Sequence, residues 1–265
     1  MLTHINRQAY LYSSTGNTLN KEVKNNRMKI ALIGYGKMGK AIEAVAIQKG
    51  HQVVLKIDVS NAADFTKELA SEADVAIEFT GPHSAVQNIL QCIEYGLPVV
   101  SGSTGWLDAW STVEAACKAN NGTVIYSSNY SIGVNLFFEI NKQLAKLMDP
   151  YLDYDVSMTE IHHTEKKDAP SGTAISLAEQ ILENLGRKHK WTNDAASNPN
   201  EISIRSERID PAPGTHTVCY SSPIDTIEIT HTAHTRQGFA AGAVMAAEFA
   251  ASKKGLFTMK DVLGL

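Results

Sequence analysis

At 265 residues, with 43% hydrophobic and 20% charged side chains, the chain has an ordinary globular composition and room for one large or two modest cores. Its net charge of −4 excludes a bulk attraction to nucleic acid or to an anionic membrane surface, so any anion site must be local. The three cysteines, Cys92, Cys117 and Cys219, form no CxxC pair, which argues against a disulfide framework and a cysteine zinc site and fits buried thiols in the reducing cytoplasm.

Residues 1–27 are polar and lack the apolar core of a secretory signal, so they read as a flexible head, or as a start placed too early, ahead of Met28. No apolar run approaches the roughly 18 residues that a membrane span needs. From Met28 to Ile33 the chain is an apolar strand, followed by Gly34-Tyr35-Gly36-Lys37-Met38-Gly39 and a helical pattern through Ile42, Val45 and Ala46. The next strand, Gln52 to Asp58, closes on an acid. A G-x-G-x-x-G turn between strand and helix with an acid after the second strand is the context a dinucleotide requires. The first two glycines let backbone approach a pyrophosphate, Gly39 lets helix and strand pack closely, and Asp58 would take the ribose hydroxyls. Asp58 repels a 2′-phosphate, so NADH should serve at least as well as NADPH.

Further strands are expected at Asp74–Phe79, Leu97–Val100 and Thr123–Tyr126, with a helix from Ser84 to Tyr95. Each strand ends in a polar or glycine-containing loop: Phe79-Thr80, Gly102-Ser103-Thr104, and Ser128-Asn129-Tyr130-Ser131. Alternating strands and helices give an open parallel sheet, and ligands lie outside the carboxyl ends of its strands. After a helix from Gly133 to about Met148 the texture changes. Strands at Asp155–His162, Glu201–Glu207, His216–Tyr220 and Thr226–Ala233 alternate apolar and polar residues, as in a half-exposed sheet. Lys188–Asn200 reads as a polar loop, Ala240–Ala251 as a small-residue helix, and the amphipathic Lys254–Leu263 as a segment returning to the first sheet. The expected fold is α/β: a Rossmann-type doubly wound sheet over 28–129, completed by about 241–265, and a second α+β domain over 130–240 with a mixed or antiparallel sheet.

The stretch from Glu160 to Ala174 concentrates the chemistry. It carries His162, His163, Lys166 and the Pro170-Ser171-Gly172-Thr173 turn, then an apolar-periodic helix through Leu177 and Ile181. Ser171 or Thr173 would cap that helix and leave its positive end open to phosphate or carboxylate. His162 offers a proton near neutrality and Lys166 a fixed charge, so the stretch suits binding and protonating an acidic small molecule. A solvated charged loop is the bland alternative. A dehydrogenase for another small anion, a non-catalytic nucleotide sensor, and a metal hydrolase using His162, His163 and Glu165, or His231 and His234, are the rivals. Adjacent strand residues face opposite ways, which serves a shared ion poorly, and no resident metal is expected.

Taken together, Glu160-x-His162-His163 with Lys166, Asp168-Ala-Pro-Ser-Gly-Thr-Ala174, Thr80-x-Pro82, Gly102-Ser-Thr-Gly105, Asn129-Tyr-Ser-x-Gly-Val-Asn135 and Arg236-x-x-Phe239-Ala240 resemble the 4-hydroxy-tetrahydrodipicolinate (dihydrodipicolinate) reductase family, from Met28 nearly to the end. The resemblance implies that His162 is the general acid and Lys166 the second proton donor. His163, Ser171, Gly172 and Thr173 would hold substrate carboxylates. Residues 34–39, Asp58, Phe79, Thr80, residues 102–104 and 128–131, Arg236 and Phe239 would bind the cofactor. It further implies a homotetramer built on the second sheet and two domains that close over a dicarboxylate. Two departures stand out: the glycine loop is one residue shorter than in many members, and Asp210 stands where many have glycine.

Overall fold

The computed structural model describes residues 27–265, so the expected head lies outside it except for its last residue. In the first half, β1 (Lys29–Ile33), α1 (Lys37–Gln48), β2 (Gln52–Ile57), α2 (Lys67–Ala70), β3 (Val75–Glu78), α3 (Ala85–Glu94), β4 (Val99–Ser101), α4 (Trp110–Ala119) and β5 (Thr123–Tyr126) alternate strand with helix. The second half comprises α5 (Ile132–Met148), β6 (Asp155–His162), α6 (Gly172–Asn184), β7 (Lys190–Thr192), β8 (Glu201–Arg208), β9 (Gly214–Ser221) and β10 (Thr226–Ala233). The chain then runs through α7 (Gln237–Ala250), β11 (Gly255–Phe257) and α8 (Met259–Leu263).

Six parallel strands in the order β11-β5-β4-β3-β1-β2 form the first sheet. Strand residues alternate between its faces. Ile30 and Leu32 join a core with Ile42 and Ala46 of α1 and the alanines of α7, while Ala31 and Ile33 join Ile89 of α3 and Val113 of α4. Both faces are covered, which explains the unbroken apolar runs of β1 and β3. Strand order reverses between β1 and β3, the position at which such sheets open a crevice. The returning segment supplies β11, paired with β5, and α7 packs on the sheet. Helix α7 is made of small residues because its backbone comes very close: a Cβ on Gly242 would sit 1.7 Å from the Tyr130 carbonyl oxygen. That contact seats the loop after β5.

The second sheet is mixed, in the order β10-β9-β6-β8-β7, with β6 parallel to β8 and antiparallel to β9. Helices α5 and α6 cover one face through Phe137, Leu177, Ile181, Met158, Ile204 and Val218. One expectation is corrected here. Residues 188–200 contain the short edge strand β7, parallel to β8. Lys188 is only 3% exposed, its ammonium held by the Pro199 and Glu201 carbonyls, and Trp191 packs on the core. Three residues are too few to show a period in the sequence.

Candidate active site

Gly34 adopts φ +95°, and a Cβ there would lie 2.1 Å from the Phe79 carbonyl oxygen. Gly39 meets the Gly34 carbonyl in the same way at 2.3 Å, so these two glycines close the turn against β3 and α1. Gly36 differs, with nothing within 4 Å of a built Cβ. As the N-cap of α1 it offers no side-chain cap, leaving first-turn N–H groups free. Gly34, Gly36, Asp58, Phe79 and Thr80 line one groove of about 490 Å³, together with Pro82 and Asn88. An open glycine cradle at a helix N-terminus beside an acid fits a dinucleotide's pyrophosphate and ribose.

Other residues of the loop are spoken for. The Tyr35 hydroxyl bonds to Glu43, which pairs with Lys56 at 2.6 Å, and the Lys56 ammonium lies 4.9 Å from the Tyr35 ring centre. Met38 packs on the core. Asp58 caps its own turn, accepting from Val59 N at 2.8 Å.

A buried carboxylate ties the next two loops together. Glu78, wholly buried at the end of β3, accepts from the backbone N–H of Thr80 at 2.9 Å and from the hydroxyls of Thr80, Ser101 and Ser103, the last at 2.7 Å. Gly102 lies under the Phe79 ring, 2.2 Å from a built Cβ, so only glycine lets the β4 loop cross there. Tyr130 is buried, its hydroxyl donating to the Ser101 carbonyl at 2.8 Å; burial, and next the charge of Glu78, push it well above its ordinary range. Its side chain is therefore structural. Ser131 caps α5 through Val134 N.

A second cavity, of about 450 Å³, lies where the halves meet. Thr104, Ser128 and Asn129 from the first half face His162, Lys166, Ser171, Gly172 and Thr173 from the second. Ser171, rather than Thr173, caps α6, its hydroxyl accepting from Ala174 N at 3.2 Å. The N–H groups of Gly172 and Thr173 remain as first-turn donors without an intrahelical partner. Lys166 is paired to both oxygens of Asp168 at 2.7 Å.

Four further predicted residues, His163, Lys37, Arg236 and Phe239, do not join this cavity. His163 follows His162 and so faces the other way, into a separate cleft of about 420 Å³ with Lys37, Arg236, Glu165 and Asp210. Lys37 and Arg236 therefore meet His163 rather than the groove at Asp58. Phe239 is half-buried at the start of α7. Asp210, the departure at the 208–216 turn, accepts from the N–H and hydroxyl of Thr164 at 3.1 and 2.6 Å, pinning that turn to the His163 loop.

Beneath the cavity lies a group of which the sequence motif held only Glu160 and His162; the partners His216 and Arg208 were missed. Along β6 the buried face reads Val156, Met158, Glu160, His162, so the last two places of an apolar row are polar. Glu160 is directly opposite His216 of β9, with Ser206 of β8 on its other side. Its carboxylate accepts Ser171 N at 3.0 and 3.1 Å and lies 3.5 Å from His162 Nδ1, 3.7 Å from His216 Nε2 and 3.4 Å from Arg208. Burial would raise Glu160, but hydrogen bonds from Ser171 and Ser206 and the charge of His162 carry it below its ordinary value. Burial lowers His162, opposed by Glu160 and aided by Lys166 and Arg208. Burial, then His162, take His216 down to about 4. The donor atoms of Glu160, His162 and His216 lie within 4.8 Å of one another, yet Ser171 N and Arg208 already occupy the carboxylate. Glu78 had a signal in the sequence, a lone charge ending an apolar strand. His216 had only its place in an alternating strand, because its partner depends on register.

Known proteins are similar to this chain in sequence and fold. The family models described as the N-terminus and C-terminus of dihydrodipicolinate reductase match residues 28–130 and 133–263. The chain is 50% identical over 236 residues to the 4-hydroxy-tetrahydrodipicolinate reductase of Christiangramia forsetii, covering 89% of this chain and 98% of that one. It is 35% identical over 230 residues to the enzyme of that name from Neisseria gonorrhoeae, covering 84% of each. Its fold is similar to a dipicolinate-bound dihydrodipicolinate reductase from Paenisporosarcina sp. TG-14, with TM-score 0.70 and 23% identity over 88% of this chain and 97% of that one. The chain belongs to the dihydrodipicolinate reductase family, the nicotinamide-dependent oxidoreductases of lysine biosynthesis.

Proposed function

We propose that the protein reduces 4-hydroxy-tetrahydrodipicolinate, after loss of water, to tetrahydrodipicolinate. The observation that carries this reading is the single cavity in which Ser128, Asn129 and Thr104, at the carboxyl ends of the nucleotide sheet, face His162, Lys166 and the α6 N-terminus. The nicotinamide, when bound, supplies the hydride. Negative charge then builds on the conjugated ring, and the chain's task is to neutralise it in place. His162 is the general acid, and Lys166, released from Asp168, is the second donor. Gly172 and Thr173 give backbone N–H groups to one substrate carboxylate, with the positive end of α6 behind them. Closure of the two halves would bring His163 over from its cleft to the substrate, and Arg236 and Phe239 to the cofactor side. Ser103, Tyr130 and Ser131 act here by shaping the loops and not by side-chain contact.

Among dinucleotides, NADH should serve at least as well as NADPH, since Asp58 lines the groove and the nearest strand cation, Lys56, is taken by Glu43. The second sheet would build a homotetramer; its outer strand β10 exposes Ile227, and the adjoining turn exposes Ile224. As a reductase of amino-acid biosynthesis the protein would work in the cytoplasm; no described helix is long and apolar enough to cross a membrane. Oxidation of NADH and NADPH, followed optically with freshly made substrate, tests the reading. Folded protein that turns over neither would sink it, and sedimentation tests the tetramer.

A further inference from the structure

Behind the cavity that His162 and Lys166 line stands a residue that does not itself line it. Glu160 is fully buried, and the carboxylate has a partner on each element packed around it. From the head of α6, Ser171 N donates to both oxygens, at 3.0 and 3.1 Å. From β8, Arg208 approaches at 3.4 and 3.5 Å, and the same guanidinium donates to the carbonyls of Lys166 and Asp168 at 3.2 and 2.6 Å. From its own strand, His162 turns Nδ1 towards Oε2 at 3.5 Å. From β9, His216 Nε2 lies 3.0 Å from the Ser171 hydroxyl and its ring packs edge-on to His162, centres 5.0 Å apart. Nδ1 of His162 is wholly buried and makes no hydrogen bond among the described residues; the Glu160 carboxylate, 3.5 Å away, is the charged group it faces.

We propose that Glu160 is the positioning residue that makes the proton donor, the loop carrying Lys166 and the anion-binding turn one unit, fixing His162 by Nδ1 so that Nε2 gives up its proton in the cavity. The inference rests on the reading of His162 as a proton donor. In the step itself the Nε2–H bond breaks and a C–H bond forms on the reduced substrate. The ring is left neutral with its hydrogen on Nδ1, facing a carboxylate, and a solvent proton restores Nε2. A neighbouring carboxylate favours this outcome twice: it selects the tautomer and holds the imidazolium charge before transfer. The groups facing His162 are Glu160 on β6, Arg208 on β8, His216 on β9 and Lys166 and Asp168 in the loop, while His231 of β10 bears on His216. Of these, only Glu160 and Asp168 favour the charged ring, and Asp168 is exposed and paired with Lys166.

The test is Glu160→Gln, which keeps shape and one acceptor but removes the charge. The high-pH limb of kcat should move down by about one pH unit or more, with the substrate KM changed by less than about threefold. A purely structural role would lower activity without moving the limb, so a limb that superimposes on the wild type overturns the inference. Should the variant not fold, long-range ¹⁵N–¹H spectra of the unmodified protein decide, with His162 assigned by loss of its signals in His162→Ala. The neutral ring should carry hydrogen on Nδ1, and hydrogen on Nε2 overturns the inference. His162→Ala at full rate would sink the donor reading instead. If His162→Ala is inactive and the Glu160→Gln limb is unmoved, only the Glu160 inference fails.

Discussion

Two carboxylates, Glu78 and Glu160, are each wholly buried in or at the end of a strand, and each accepts the backbone N–H of a site loop, yet they do different work. Glu78 is surrounded by the hydroxyls of Thr80, Ser101 and Ser103 and faces no cation among its hydrogen bonds. Glu160 sits among His162, His216 and Arg208. Neutral donors hold geometry: the Glu78 group fixes two loops at the edge of the nucleotide sheet. Titratable and cationic neighbours let a carboxylate also set where protons reside. In the proposed function the first half therefore holds geometry and the second moves protons, with the shared cavity between them.

The comparison breaks most sharply at the donors. His162→Ala and Lys166→Ala should each lower kcat by about 10²–10⁴ while leaving NADH affinity nearly unchanged, measured by fluorescence titration. Full turnover in both would remove the second half's assigned role. Acid should act next, and through the second half. His216 titrates near 4 when folded against its ordinary 6.5, so below 6.5 the unfolded chain takes up the proton first. Its contribution to stability is complete above that value and is lost as pH falls towards 4, about 2 kcal/mol of it between roughly pH 7 and pH 5. Glu160, held below 4.5, adds loss in the same direction at lower pH. Equal urea midpoints at the two pH values would contradict this.

Glu78→Gln tests the holder. It places an amide N–H₂ against hydroxyls and a backbone N–H, at a cost of about 1–3 kcal/mol. We expect weaker NADH binding and a lower melting temperature with the pH profile of kcat unmoved, the opposite of Glu160→Gln. A shifted limb would erase the distinction between the two carboxylates. The smallest effect belongs to Asp58→Asn, which should move the preference towards NADPH by about tenfold by removing one charge near the 2′ position. Unchanged kcat/KM ratios for the two dinucleotides would show that Asp58 does not set the choice.

Much of this was written locally. The alternation of strand and helix, the glycine turn and the apolar period of α6 depend on near neighbours, so the parallel sheet and the open Gly36 cradle were legible in the chain, and the α6 cap was narrowed to Ser171 or Thr173. Gly39 was legible as a close contact, whereas Gly34, read as an approach for a pyrophosphate, closes the turn against the Phe79 carbonyl. Gly242 was not legible, because the carbonyl it must clear, that of Tyr130, is far away in sequence. His163 was grouped with His162 by adjacency, whereas the period of a strand sends the two rings into different cavities. Sequence by itself determined which chemical groups the protein owns: a glycine turn of dinucleotide type, a histidine and a lysine in one motif, and a helix end with free N–H groups. Only the tertiary structure decided which of them share a cavity and what stands behind them. Strand register put His216 opposite Glu160, and register is set by the packing of the whole sheet and not by any residue pair readable along the chain.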